Sequence, residues 1–181
     1  MRLIKTPIEG AYVLEPVVHE DGRGYFFESY SQRTLEKLGI NTVFVQDNQS
    51  FSKDKGIIRG IHFQNNPMSQ VKLVRCNKGE VLDVIIDFRK NSSTYLNWFS
   101  EILSETNKKQ MYVPAGCGHG FLTLTDNCEL QYKVDKFYSK EHDRSVLWND
   151  PDLGIEWGIV DPILSEKDKN APRFADSDRN L

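Results

Sequence analysis

Between Val71 and Val134 the chain repeats one pattern: a short stretch of β-branched and aromatic residues, then a turn-forming cluster. The stretches are Val71 to Val74, Val81 to Phe88, Met111 to Val113, Gly120 to Leu124 and Cys128 to Val134. Asn77-Lys78-Gly79, Asn91-Ser92-Ser93 and Thr125-Asp126-Asn127 punctuate them, and strands of this length and spacing imply a sandwich or barrel. Helix is scarce. Ser31 to Leu38 fits a short one with Ser31 as N-cap and Gly39 just beyond its end, and Ser165 to Asn170 fits another. No internal repeat or low-complexity linker interrupts the 181 residues, of which 39% are hydrophobic. That is enough for one filled core and too little for two ordinary domains. The expectation is a single all-β domain over residues 1–181, with a polar, loose tail at about 172–181.

Charge and cysteine usage narrow the function classes. Twenty-three basic residues stand against 26 acidic ones, and no run of Lys or Arg offers a stripe for a phosphate backbone, so nucleic acid is not an expected partner. Met1 to Pro7 lacks the apolar segment of a signal peptide and no apolar run approaches a membrane span, so the expected compartment is the cytoplasm. Cys76, Cys117 and Cys128 form no Cys-x-x-Cys pair and read as small apolar fillers rather than as a disulfide or zinc framework.

Two histidine-bearing stretches stand out against this background. Val113-Pro114-Ala115-Gly116-Cys117-Gly118-His119-Gly120-Phe121 has the Pro-x-Gly-x-x-His spacing of a cupin, or jelly-roll, barrel. Arg59-Gly60-Ile61-His62-Phe63-Gln64 offers His-Phe-Gln where a metal-binding cupin needs His-x-His. Side chains alternate along a strand, so His62 and Gln64 share a face and a neutral amide holds the position of a second imidazole ligand. Amides are poor ligands for metals that favour imidazole. No metal is therefore expected, and His62 is free to act as a base. The same alternation turns Tyr132 inward with Cys128, Leu130 and Val134, sets Asp83 on one face with Val81, Ile85 and Asp87, and sets Lys72 with Gln70 and Val74. Each has an ordinary structural alternative: Tyr132 as core, Lys72 as a surface cation lying along apolar neighbours, the histidines as satisfied polar residues. Asp168 in Ser165-Glu166-Lys167-Asp168 has capping-box spacing.

Further blocks carry a resemblance. Asp21-Gly22-Arg23-Gly24-Tyr25-Phe26-Phe27-Glu28, Gln46-Asp47-Asn48-Gln49-Ser50 and Arg59 to Gln64 come first. Pro114 to Phe121, Tyr132-Lys133 with Phe137-Tyr138, Trp148 to Pro151, Ile155-Glu156-Trp157 and Pro162 to Asp168 follow in order. Over about Asp21 to Asp168 the chain resembles the dTDP-4-dehydrorhamnose 3,5-epimerase family. The resemblance implies a homodimeric cupin barrel without metal or organic cofactor, acting on a dTDP-linked 4-keto-6-deoxyhexose on the route to dTDP-L-rhamnose. It implies His62 as base, Asp168 holding its imidazole, Tyr132 as proton donor and Lys72 beside the C4 oxygen, where a cation stabilises enolate charge. Arg23, Glu28, Gln46, Asp47, Asn48 and Arg59 match positions that hold the nucleotide part, with the arginines suited to the diphosphate. Tyr138 matches an aromatic that stacks on thymine, with Phe26 as a second apolar wall, while His119, Asp143 and Lys167 are further substrate-binding positions. Asp83 is expected to orient His119.

Strict alternation would turn Arg59 and His62 to opposite faces, so Gly60 is expected to bend or bulge the strand. The chain departs from the family pattern at Cys117-Gly118, where Phe-Ala is commoner, at Asp143, where Glu is usual, and at Gly158, where Pro is usual. A mono-epimerase at C3 or C5, a sugar-nucleotide ketoisomerase, and a non-catalytic sugar- or nucleotide-binding barrel remain as alternatives.

Overall fold

In Cys128 to Val134 the apolar set alternates with Glu129, Gln131 and Lys133, and a segment so patterned buries one face of a strand. A computed structural model describing residues 1–181 has a strand over those residues, the twelfth of thirteen. The order is β1 (Arg2–Lys5), β2 (Tyr12–Glu15), β3 (Val18–Asp21), β4 (Gly24–Phe27), α1 (Gln32–Lys37), β5 (Gln46–Ser52), β6 (Ile58–Gln64) and β7 (Lys72–Lys78). Then come β8 (Glu80–Asp87), β9 (Trp98–Ser104), β10 (Gln110–Val113), β11 (Cys117–Thr123), β12 (Cys128–Val134), β13 (Asp143–Ser145), α2 (Glu166–Lys169) and a 3₁₀ turn over Phe174–Asp176.

A six-stranded sheet, β1-β2-β10-β7-β12-β5, faces a five-stranded sheet, β13-β6-β11-β8-β9, and β3 and β4 form a separate hairpin. The inward faces meet in an apolar core to which β7, β10 and β12 give Val74, Met111, Val113 and Leu130, and β8, β9 and β11 give Val81, Ile85, Leu103 and Phe121. This is the cupin-like jelly roll expected from the sequence. β8 carries apolar residues on both sides for a reason: Val84 and Ile86, with Phe88 just beyond the strand, pack outward under Trp148, Leu153, Trp157 and Phe174. Gly118 lies beneath that outer layer, where a Cβ would sit 2.5 Å from Ile61 Cγ2 and from Phe88 Cε2. The neighbouring Cys117 belongs to the inner core. Outside the six-stranded sheet, Leu35 of α1 packs with Leu14, Leu73 and Tyr112, and Ser31 caps α1 by accepting from the Thr34 N–H.

The tail is not loose. Leu147 N–H donates to Pro172 O at 2.9 Å, the Phe174 ring lies 5.3 Å from that of Phe88, and Arg144 pairs with Asp178 at 2.6 Å. A single buried aromatic and a few polar ties hold a segment whose composition alone reads as mobile.

The bend at Gly60 is a bulge. On β11, His119 pairs with His62 and Phe121 with Arg59, so two residues of β6 stand opposite Gly120 alone. Gly60 has φ +140, and a Cβ there would lie 2.5 Å from Gly120 Cα; only glycine fits.

Candidate active site

The bulge turns Arg59 and His62 into one cavity of about 630 Å³ between the two sheets. β5 lines it with Gln46, Asn48 and Ser50, β7 with Lys72, β11 with His119 and Phe121, and β12 with Leu130 and Tyr132. Tyr138, Asp143, Ser165, Lys167 and Asp168 line it from the chain beyond β12.

At its wall His62 Nε2 lies 2.6 Å from Asp168 Oδ1. A neutral His62 that donates its Nε2 proton to this carboxylate keeps its lone pair on Nδ1. Asp168 does two jobs. Ser165 Oγ accepts from its backbone N–H at 3.1 Å, which caps α2, and the same hydroxyl donates to Asp168 Oδ2 at 2.8 Å, leaving Oδ1 for the imidazole. Burial would raise this carboxyl, but the His62 hydrogen bond and charge, Ser165 and Lys167 outweigh it and hold it below the usual carboxylate range.

A second imidazole–acid pair lies deeper. His119 Nε2 is 2.7 Å from Oδ1 of Asp83, which is fully buried, so the acid lies on the inward side of β8, a choice that strand parity left open. Asp83 Oδ2 makes no hydrogen bond, and the Asp83 charge acts on Lys72. Burial pushes the Lys72 ammonium down to about 8, with Asp83 and then Asp143 opposing that shift. Tyr132 is raised above its ordinary value, first by burial and then by the charge of Asp143, against Arg59.

Nearer the mouth, Arg59 Nε donates to Ser52 Oγ at 3.1 Å and Nη2 to Phe51 O at 2.9 Å, which fixes its guanidinium plane. Lys167 Nζ meets Asp143 Oδ2 at 2.6 Å, and the Tyr138 hydroxyl donates to the same oxygen at 3.4 Å. Gln46 Nε2 donates to Asn48 Oδ1 at 2.8 Å.

Four of the expected nucleotide residues do not join this cavity. Asp47 points off the outer face of β5 to Lys133, 2.7 Å away. Glu28 accepts from the Thr34 hydroxyl at 2.6 Å. Arg23 pairs with Asp21 on the β3–β4 hairpin, and Phe26 beside it is 72% exposed. Conversely, Ser50 and Gln70 line the cavity without having been picked out as site residues. Alternation from Gln46 and Asn48 would have reached Ser50, and Gln70 shares with Lys72 the face on which alternation sets both. No three His, Cys, Asp or Glu side chains converge as metal ligands, and no helix is long and apolar enough to cross a membrane.

A sequence profile of the dTDP-4-dehydrorhamnose 3,5-epimerase family matches residues 5–176. The chain is 46% identical over 179 residues, 98% of each sequence, to a dTDP-4-dehydrorhamnose 3,5-epimerase of Shigella flexneri. Its structure is similar to that of the Bacillus anthracis dTDP-4-dehydrorhamnose 3,5-epimerase with TDP and PPi bound, with TM-score 0.94, 47% identity, and 96% and 99% of the two chains covered. It is also similar to a Legionella pneumophila dTDP-6-deoxy-D-glucose-3,5-epimerase in complex with dTDP-4-keto-L-rhamnose, with TM-score 0.93, 38% identity, and 99% and 98% of the two chains covered.

Proposed function

We propose a mechanism from the premise that this chain belongs to the dTDP-4-dehydrorhamnose 3,5-epimerase family. It is an isomerase of nucleotide sugars, which inverts C3 and C5 of dTDP-4-dehydro-6-deoxy-D-glucose to give dTDP-4-dehydro-L-rhamnose in dTDP-L-rhamnose synthesis. Protons at C3 and C5 are acidic because each carbon adjoins the C4 ketone. His62, oriented by Asp168, removes a proton to give an enolate. Lys72, with His119 held by Asp83, stabilises the charge that develops on the C4 oxygen, where a preorganised cation contributes most. Tyr132 returns a proton to the other face. The observation that carries this reading is that His62 stands on the five-stranded sheet and Tyr132 on the six-stranded sheet, across one cavity. Inversion needs that opposition.

Arg59, Gln46, Asn48, Lys167 and Asp143 then hold the nucleotide part, and Tyr138 stacks on the base. Asp143 is one methylene shorter than the usual Glu and already engages Lys167, so it acts by fixing that lysine. No organic cofactor or metal enters the scheme. The working form is a cytoplasmic homodimer of single-domain protomers. The hairpin of one protomer, carrying Arg23 and Phe26, closes the cavity of its partner. Two features support this: the exposure of Phe26 and Tyr25, and a hairpin whose strands pair only with each other.

Incubation of the protein with the 4-keto sugar nucleotide in heavy water tests the reaction. Deuterium should enter at C3 and at C5 with no metal or cofactor added. Label at one carbon would reduce the activity to a mono-epimerase, and no label would leave a binding protein.

A further inference from the structure

β6 carries Gln64 where a metal-binding barrel of this kind would carry its second imidazole, and the carboxamide is fully engaged. The residue is 4% exposed. Its Nε2 donates to Met68 O at 2.7 Å and to Phe137 O at 3.3 Å, while its Oε1 accepts from the Ser139 N–H at 2.7 Å. Phe137 and Ser139 flank Tyr138. The Tyr138 N–H reaches Gln46 Oε1 at 3.4 Å, and its ring is held by little else. The residue is 58% exposed, and its hydroxyl is 3.4 Å from Asp143.

We infer that Gln64 is a positioning residue for base recognition: one buried amide brackets the backbone on both sides of Tyr138 and sets the angle at which the ring overlies the cavity. The inference rests on the reading of Tyr138 as the stacking aromatic. The chemistry of the position favours an amide over every alternative. Only a carboxamide presents two donors and an acceptor without charge; a neutral imidazole has one of each, and a carboxylate has no donor for two carbonyl oxygens. An apolar residue would leave three backbone groups without their partner on the amide. Gln70 works on the same loop, donating to Lys136 O at 2.7 Å, so the segment is tied down before Phe137 as well. The donors and the acceptor of this amide are thus committed to a loop.

The test is a cycle of Q64L, Y138A and the double variant, with affinity for dTDP and for inorganic pyrophosphate measured by calorimetry, alongside kcat and KM. Q64L is expected to weaken dTDP binding about tenfold and to raise KM to match, with kcat within about twofold of the parent. Pyrophosphate affinity should be unchanged, because Arg59 is held independently by Ser52 and Phe51. The double variant should bind dTDP no more weakly than Y138A. Normal dTDP affinity in Q64L beside weakened affinity in Y138A would overturn the inference and spare the stacking reading. Normal affinity in Y138A would remove the stacking reading and the inference with it. Parallel loss of pyrophosphate binding, or additive losses in the double variant, would also overturn it, since Gln64 would then be acting on the fold at large. Should Q64L fail to fold, Q64M keeps the length of the side chain without charge, loses both donors and the acceptor, and enters the same cycle with the same expected outcomes.

Discussion

Lys72 makes the trade between stability and catalysis measurable. Its ammonium is buried and lowered from 10.5 to about 8. Below pH 8 the charge is present in both folded and unfolded chains, and burying it costs ~3 kcal/mol. Between 8 and 10.5 the unfolded chain still binds a proton that the folded chain has released, so this residue's contribution to stability rises with pH across that window. K72M should therefore raise stability at pH 7 by ~1–3 kcal/mol in urea while abolishing turnover. Turnover of the parent should fall as pH rises through about 8. A destabilised K72M with normal activity would make Lys72 a structural cation. The other groups separate by isotope exchange. H62N should lose about two to four orders of magnitude in turnover, together with deuterium exchange, whereas Y132F should still exchange substrate hydrogen and make little inverted product. D168N should lose turnover through a misaligned imidazole. Asp168 is held below 3.8, so its stabilising contribution, present at neutral pH, disappears as pH falls through its folded value. A lower melting temperature with normal turnover in D168N would leave the carboxylate a helix cap only.

At the scale of elements, the bulge in β6 decides whether the site exists. Arg59 and His62 are three residues apart and share a cavity only because Gly60 and Ile61 together oppose Gly120. G60A forces a Cβ to within 2.5 Å of Gly120 Cα at a φ of +140, which should cost about 3 kcal/mol or more in denaturant unfolding and depress turnover in whatever folds. Unchanged stability and turnover would mean that the strand can relax without the bulge. The conflict between two polar residues on opposite parities was enough to expect a bend at Gly60 from sequence. β12 was equally legible, because its apolar set is clean. β5 was not: Gln46 to Ser52 has almost no β-forming apolar residues, since its inward side chains Gln46, Asn48 and Ser50 line a wet cavity instead of a core. Hydrophobic periodicity is silent where the side chains that a strand turns to the cavity are polar. The tail failed for a related reason, since Phe174 is its one buried aromatic, the rest of its docking is mostly polar, and one aromatic makes no pattern.

For the whole molecule, the question is which chain supplies Arg23 and Phe26. The resemblance assigns both to the nucleotide, yet Arg23 pairs with its own hairpin and neither lines its own chain's cavity. A solvent-facing Phe26 beside Tyr25 is an apolar surface that a second copy would cover. The protein should thus elute at about twice 20.9 kDa, and F26A should raise KM more than it lowers kcat. Complementation decides the geometry. R23A and H62N are each expected to be poorly active alone. Co-folding equal amounts gives half heterodimers, in which the R23A protomer keeps its base and receives an intact hairpin from the H62N protomer, so about a quarter of parental activity should return. If each hairpin served its own cavity, one site of the heterodimer would lack Arg23 and the other its base, and mixing would restore nothing. A fully active monomer would remove the exchange of hairpins altogether.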